Sequence, residues 1–502
     1  MPLVAVWKHC YTTPEVEYET VIGLEVHSQL LTESKMFCGC SAEYASTEPN
    51  THVCPVCLGM PGVLPVINQR ALEFVVMTAL ALNCTVPDYT KFDRKNYPYP
   101  DLMKGYQISQ YDEPVGVSGW MAIETAGSGS REIGITRVHL EEDTARLLHR
   151  RGAGGEAYSL VDVNRAGVPL MEIVSEPDMR TPEEARQFLV KLHSILQYLG
   201  VSTGNMEEGS FRCDANISTR VAGHSKGSAK VEVKNMNSFR AVFRALSYEE
   251  KRQRKAIAEG ERLVQETRGW VDDEGITVSQ RSKEYAHDYR YFPEPDLPPL
   301  AFDREWVKSI NDSLPELPDA RRNRFVDVYD LSSYSASLLT GSKATADYFE
   351  QCMAMVDRSK VKPMAKTVSN WMLGEFARLL NATETAIENA KATPILLMEL
   401  IDMIEGGRIG GPAAKKAFEE VFSTGRSAAD IVEEQGLAQI SDSGEIETII
   451  NRVIETNAHA VIDYKNGKEQ ALKFLIGQVM RDSKGRANHS VIIQLLKRKL
   501  GE

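Results

Sequence analysis

Gly23-Leu24-Glu25-Val26-His27 and Phe211-Arg212-Cys213-Asp214-Ala215-Asn216-Ile217 decide how this chain folds. Both stretches alternate apolar and polar residues, the two-residue period of a half-buried β-strand. In the first, Leu24 and Val26 fall on one face, and Glu25 and His27 on the other. In the second, Arg212, Asp214 and Asn216 share a face above Phe211, Cys213, Ala215 and Ile217. The turn-rich stretch 222–227 leads on to Lys230-Val231-Glu232-Val233-Lys234-Asn235, where Lys230, Glu232 and Lys234 share a face. The pattern predicts antiparallel hairpins with one polar face, which by itself suits a sheet half exposed to water.

Around these stretches, strands are predicted over Glu19–Leu30, Ile133–Leu140, Ser210–Ser218 and Ala229–Asn235. Helices interrupt them. Asn68–Leu82 carries an apolar stripe, and Thr181-Pro182-Glu183-Glu184 opens a helix through Tyr198. Thr181 suits the N-cap, Pro182 the first helical position, and Glu184 closes a capping box. This mixture reads as α+β, not as alternating βαβ units. Tyr291-Phe292-Pro293-Glu294-Pro295-Asp296-Leu297-Pro298-Pro299 then holds four prolines in nine residues, which forces extended backbone and reads as a boundary. Beyond it the patterns are helical: from Pro318-Asp319-Ala320, over Ala344–Val356, Ser369–Leu380 and Pro394–Glu405. Gly406-Gly407 and Gly410-Gly411-Pro412 mark a second break, and short helices run on to Ser490–Leu500. The expected organisation is an extension at 1–17, a mixed domain at 18–297, an all-α domain at 298–408 and an all-α tail at 409–502.

With 502 residues, 42% apolar and 25% charged, the chain has room for about three domains with real cores. Its net charge of −12 opposes bulk attraction to nucleic acid or anionic membrane. Tyr464–Glu502 runs against that balance, with nine Lys and Arg against three acids. Such a segment suits a solvated helix face or an RNA-phosphate footprint. No apolar run is long enough to span a membrane. Leu3–Trp7 is too short for the core of a secretory signal, so a cytoplasmic location is expected.

Of eight cysteines, Cys38, Cys40, Cys54 and Cys57 cluster, while Cys10, Cys84, Cys213 and Cys352 stand apart. Two closely spaced thiolate pairs in Gly/Pro-rich turns can converge on one tetrahedral zinc. Four thiolates leave no open position, so that role is structural; a redox pair or unliganded thiols are the alternatives. Acidic clusters at His139-Leu140-Glu141-Glu142-Asp143 and Met171-Glu172-Ile173-Val174-Ser175-Glu176 join the polar strand faces. Carboxylates with one or two imidazoles suit Mg²⁺, and Mg²⁺ with Lys and Arg nearby suits phosphoryl transfer from ATP. Neither a P-loop, a dinucleotide fingerprint, a G-x-S-x-G elbow nor a kinase H-R-D set occurs. Any nucleotide chemistry must run on a sheet-based site.

Tyr18–His27, Lys91–Tyr97, Gly134–Arg137, Leu160–Arg165, Glu172–Asp178, Met206–Ile217, Lys234–Ser238 and Asp288–Asp296 follow one another as the motifs of a known family do. From about residue 18 onward, the chain resembles the B subunits of bacterial glutamyl/aspartyl-tRNA amidotransferases. The resemblance implies a cradle domain like the glutamine synthetase and guanidino-kinase folds, with a zinc-binding insertion at 38–57, then a helical domain and a tRNA-binding tail. It implies activation of the side-chain carboxylate of mischarged Glu-tRNA(Gln) or Asp-tRNA(Asn) by ATP, and amidation by ammonia. The ammonia comes from an amidase (A) subunit, with a small C subunit completing a heterotrimer; no membrane is involved. Cys84 and Cys213 sit in apolar patterns with no positioned His, so the chain itself carries no plausible glutaminase.

The family's Mg²⁺ site maps onto Glu25, His27, Glu142, Glu172 and Asp214, with His27, Glu142 and Glu172 as the expected direct ligands. Lys104 maps near the ammonia path, and Arg212 and Lys234 are expected to bind ATP. Some family members lack the four cysteines, which makes the zinc structural. Competing readings are a stand-alone amide ligase acting on a free amino acid and a non-catalytic zinc-ribbon RNA-binding module. A third, the archaeal relative, carries an inserted domain for which this chain has no room.

Overall fold

The computed structural model describes residues 16–125, 129–223, 229–282, 289–439, 443–483 and 486–501. Most of the extension at 1–17, with Cys10, lies outside the described residues, as do His224, Asp288, Lys484 and Gly485. Two compact units divide between Leu317 and Pro318.

The strands of the first unit are β1 (Tyr18–Gln29), β2 (Tyr89–Thr90), β3 (Asp93–Asn96), β4 (Tyr106–Ser109), β5 (Gly116–Thr125), β6 (Gly129–Glu142), β7 (Arg146–Arg151), β8 (Ala157–Asp162), β9 (Pro169–Ser175), β10 (Phe211–Val221), β11 (Val231–Lys234), β12 (Glu266–Val271), β13 (Ile276–Ser282), β14 (Phe292–Pro293) and β15 (Leu300–Ala301). Its helices are α1 (Gln69–Ala81), α2 (Pro182–Leu199), α3 (Phe239–Ala258) and α4 (Arg304–Asp312). Eight strands form one sheet in the order β13-β12-β11-β10-β1-β9-β6-β5. Every neighbour is antiparallel except β11–β12, so the α+β reading holds.

The alternation in β1 and β10 does what its period requires. Ile22, Leu24 and Val26, with Cys213, Ala215 and Ile217, are buried in one cluster with Phe74 and Val75 of α1, Phe188 and Leu192 of α2, and Val242 and Leu246 of α3. The helices thus cover one sheet face, and Glu25, His27, Arg212 and Asp214 are left on the other. Truncating a core residue such as Leu24 to Ala would cost about 2–5 kcal/mol. Asn68 caps α1 by accepting from the Arg70 and Ala71 amides. Thr181 caps α2 from the Glu184 amide, but the Glu184 carboxylate accepts from the Arg180 amide, so the expected box closes one residue early.

The first unit continues past the proline-rich stretch. Phe302, Val307 and Ile310 join its core, so α4 belongs to the mixed domain and the break falls after Leu317 rather than after residue 297. The second unit is helical: α5 (Pro318–Tyr329), α6 (Ser333–Thr340), α7 (Lys343–Ala354), α8 (Val361–Trp371), α9 (Ala377–Ala382), α10 (Pro394–Glu405), α11 (Gly411–Thr424), α12 (Ala428–Glu434), α13 (Ser443–Thr456), α14 (Ala458–Lys465), α15 (Glu469–Asp482) and α16 (His489–Leu500). Its apolar residues fall into two clusters. One runs from Phe325 to Val432 and includes Phe418 and Val421 of α11; the other runs from Ile446 to Leu500. The glycine-rich stretch near 408 is therefore a turn inside one core, and the tail's own core begins with α13.

Candidate active site

The register of the sheet assembles the site. His27 on β1 stands opposite Glu172 on β9, and Glu172 stands opposite His139 on β6. On its other side His27 faces Arg212 of β10. Two residues along β1, Glu25 is opposite Asp214. Directly opposite residues of an antiparallel pair share a face, so these polar side chains converge although the chain scatters them.

His27 Nε2 lies 3.3 Å from Glu172 Oε2, and His139 Nε2 lies 3.6 Å from that oxygen and 3.3 Å from Glu141 Oε1. Donor atoms of His27, Glu141 and Glu172 lie within 4.8 Å of one another, close enough to hold one metal ion. One imidazole with two carboxylates is a donor set that suits Mg²⁺. Glu142, expected in this set, is not part of it. The pleat turns alternate side chains to opposite faces: Glu141 shares a face with His139, whereas Glu142 follows the buried Leu140. Its Oε1 accepts from the Ile108 amide at 3.0 Å and pairs with Lys104 Nζ at 2.5 Å. Lys104 thus meets the expected carboxylate cluster only through the residue that points away from it.

The other expected residues are engaged with one another. Glu25 accepts from Asn216 Nδ2 at 2.8 Å. Lys234 Nζ donates to Asp214 Oδ2 at 2.7 Å, and Arg212 Nη2 to Asp143 Oδ2 at 2.9 Å. Reading the sequence missed four groups: Glu141 as a ligand, His139, Arg137 and Lys95. Lys95 Nζ is 3.8 Å from Glu141 Oε1 and 5.4 Å from the centre of the Tyr289 ring. Its strand is fixed by Arg94, whose guanidinium grips Glu294 of the proline-rich stretch at 2.6 and 2.8 Å. The alternation signal that singled out Glu25 and His27 would also have paired His139 with Glu141.

Charge balance keeps the site ionised. Burial, the largest influence on Glu172, opposes its charge, yet His139, His27 and Lys95 hold its carboxyl well below the usual range. Glu141 is likewise opposed by burial and held down at about 2 by Lys95 and His139. Burial pulls the His27 imidazole down, but Glu172, Glu141 and Asp214 outweigh it and raise its pKa.

The second metal-competent group is Cys38, Cys40, Cys54 and Cys57. Cys57 Sγ lies 3.4 Å from Cys38 Sγ and 3.7 Å from Cys54 Sγ. A tetrahedral zinc with Zn–S of about 2.3 Å sets its sulfurs about 3.8 Å apart, so the four thiols fit that ion. The buried Lys35 points its Nζ at Cys57 Sγ, 3.5 Å away. The Cys38 thiol, by hydrogen bonding, holds Cys57 down to about 4, helped by Lys35.

The class is a mixed domain with ligand-bearing side chains gathered on the polar face of its sheet, followed by a helical unit. Residues 20–308 match the family model described as the GatB/GatE catalytic domain, and residues 347–500 match the one described as the GatB domain. The chain is 56% identical over 490 residues to the B subunit of the aspartyl/glutamyl-tRNA(Asn/Gln) amidotransferase of Dehalococcoides mccartyi, covering 97% of this chain and 99% of that protein. The proteins of the same name from Carboxydothermus hydrogenoformans and Thermomicrobium roseum are 53% and 56% identical over 486 residues, each covering 97% of this chain and 99% of the relative. The chain belongs to the GatB family. No helix among the described residues is long and apolar enough to cross a membrane.

Proposed function

We propose that this chain is the carboxylate-activating subunit of an ATP-dependent, glutamine-using ligase that converts mischarged Glu-tRNA(Gln), Asp-tRNA(Asn) or both to their amides. One observation carries the reading: on a sheet of the GatB family's catalytic domain, His27, Glu141 and Glu172 meet within 4.8 Å, with Lys95 and Arg137 beside them. An amide cannot form from a carboxylate and ammonia without a leaving group. The substrate's side-chain carboxylate oxygen attacks the γ-phosphorus of ATP, an O–P bond forms, and the bond to the β,γ-bridging oxygen breaks with its electron pair leaving on ADP. Ammonia then attacks the acyl carbon, the C–O bond to phosphate breaks, and the nitrogen loses a proton. When bound, Mg²⁺ supplies positive charge beside the phosphates, and His27, Glu141 and Glu172 would hold it, with Glu25 and Asp214 flanking.

This chain's own residues do the rest. Lys95, held by Glu141, offsets charge as two anions approach. Arg212 and Lys234 hold Asp143 and Asp214 in place, and are the cations that would meet ATP. A polar face on a helix-backed sheet supports the glutamine synthetase-like cradle. The pair Lys104–Glu142 stands on the ammonia path that the family places near Lys104. The four cysteines hold a structural zinc, and the basic tail binds the tRNA body. The partners are the amidase and small C subunits, in the cytoplasm. Reconstitution with those subunits tests the reading: ATP hydrolysis should depend on mischarged tRNA and yield the amidated product. Equal turnover with free glutamate or aspartate would overturn it in favour of a stand-alone amide ligase.

A further inference from the structure

The cations on the polar face are not equally occupied. Lys234 donates to Asp214 and Arg212 Nη2 to Asp143, whereas Lys95 Nζ stands 3.8 Å from Glu141 Oε1, an ion pair without a hydrogen bond. Arg137 has no such bond. Its nearest carboxylate oxygen, Glu172 Oε1, is 3.6 Å from Nη2, beyond a good hydrogen bond. Its Nε is shielded from solvent and has no hydrogen-bond partner, and the same is true of Arg212 Nε on the same face and of His139 Nδ1 on the next polar position of β6. His139 is 2% exposed. Leaving a buried N–H unpaired costs about 1–3 kcal/mol, so the orphaned guanidinium N–H of Arg137 points to a ligand that accepts from it.

The register says where that ligand lies. Arg137 is opposite Val174, and Val174 is opposite Glu25. Between the guanidinium and the carboxylates of β1 and β10, β9 thus presents the apolar side chain of Val174. A cavity of about 280 Å³ lined by Gly23, Glu25, Val174, Pro177, Asn216 and Lys230 opens over that same residue. Two residues back along β9 is Glu172, the shared partner of His27 and His139. An anion bound beside Glu172 would meet both Arg137 and the metal-competent group, and the neighbouring cavity offers Lys230 as a further cation. A guanidinium fork matches tetrahedral phosphate oxygens, which an ammonium does only as a point charge.

We infer that Arg137 is a catalytic residue that clamps the non-bridging oxygens of the phosphoryl group in transfer. The inference rests on the activation reading given above. It requires that Arg137 act on the transferring group and not merely hold Glu172. In the step, the guanidinium neither gains nor loses a proton; it takes up the negative charge that spreads over the equatorial oxygens while the O–P bond forms and ADP leaves.

The test uses the complex with its amidase and small C subunits, and the variants Arg137→Ala and Arg137→Lys. Mischarged-tRNA-dependent ATP hydrolysis, Mg²⁺ affinity, binding of a non-hydrolysable ATP analogue and the amidase's glutamine hydrolysis are measured on each. Arg137→Ala should lower kcat for ATP hydrolysis about 10²–10³-fold. Mg²⁺ affinity and glutamine hydrolysis should change by less than about twofold, and analogue affinity should fall less than kcat, the split expected of an interaction made mainly in the transition state. Added guanidinium should restore part of the Arg137→Ala rate, and Arg137→Lys should recover only part of it. An unchanged kcat in both variants overturns the proposal, and so does a loss confined to Mg²⁺ affinity, which would make Arg137 a holder of Glu172. If the wild-type complex shows no tRNA-dependent ATP turnover, the activation reading fails first, and this proposal with it.

Discussion

The two metal-competent groups of the first unit are built in opposite ways. Cys38, Cys40, Cys54 and Cys57 come from one loop, gathered by tight turns that spacing alone displays. His27, Glu141 and Glu172 come from three strands far apart in the chain, and only strand register brings them together. The loop group is closed, with all four corners taken by sulfur. The strand group offers three donors and leaves room for phosphate and water, as a chemical site must. Local spacing is therefore a safe guide to the first, while for the second a shift of one residue exchanges the faces of the sheet.

Removing one member of each group should separate them most visibly. Glu172→Gln or His27→Ala should reduce tRNA-dependent ATP hydrolysis by about 10²–10³-fold or more, as losing a charge-stabilising group does. Glutamine hydrolysis by the partner should change little. Cys54→Ser should do the reverse, with zinc content and Tm falling and the chemical rate per folded molecule preserved. Thermal melts, metal analysis and ATP hydrolysis on the same preparations check both. Equal losses of rate in the two variants would show that the groups are not separable.

A finer cut uses neighbours. Glu141→Gln should lower Mg²⁺ affinity and activation together by about 10²-fold, following loss of a direct ligand. Glu142→Gln should leave Mg²⁺ affinity unchanged, because its carboxylate pairs with Lys104 and the Ile108 amide instead. Calorimetric Mg²⁺ titration of the two variants decides the matter, and the opposite result would restore Glu142 as the ligand.

That pair also marks how far the sequence could be read. The alternation in β1 and β10 placed Glu25, His27, Arg212 and Asp214 on one face, and the structure agrees because an apolar core on the other face pins the register. In His139-Leu140-Glu141-Glu142 the same rule pairs His139 with Glu141, yet the family likeness favoured its neighbour. Lys95 and Arg137 were beyond reach for another reason. Their roles depend on which strands become neighbours, and β6 joins β9 across an irregularity between Ile135 and Arg137. The domain boundary was missed in the same way: prolines signal extended backbone, but not that Val307 and Ile310 beyond them return to the first core.

Acidity should separate the groups by slope. Without metal, the raised pKa of His27 means a stabilising charge fully present below about 6.5 and lost as pH rises through the higher folded value. Mg²⁺ needs the neutral imidazole, so its affinity should fall about tenfold per unit once pH drops below that value. In the thiol group, burial pushes Cys40 up to about 11, and Cys38 stands higher through its hydrogen bond to Cys57. At least two protons must therefore leave when zinc binds at neutral pH, and zinc affinity should fall at least about a hundredfold per unit of acidification. Competition with a chelator across pH 6–8 would give both slopes, and equal slopes would contradict the assignment of ligands.

The mildest change concerns Lys35, which is 1% exposed and donates to the His52 carbonyl at 2.8 Å as well as pointing at Cys57 Sγ. Four thiolates around one divalent ion leave two excess negative charges, and a buried ammonium offsets one of them. Lys35→Met keeps the length of the apolar stem, which packs near Gly167, and removes the charge. A group bonded to a metal ligand contributes about 10–100-fold to metal affinity, and here the lower figure applies, because three thiols remain untouched by the change. Zinc should therefore bind about tenfold more weakly in Lys35→Met. The ATP chemistry should be unaffected, since Lys35 reaches into the cysteine loop and not onto the polar face. Zinc affinity is measured by chelator competition, with Lys35→Arg as the control that keeps the charge. If Lys35→Met binds zinc as tightly as the parent while Lys35→Arg does not, the side chain acts through its shape, and the electrostatic account of the loop is wrong.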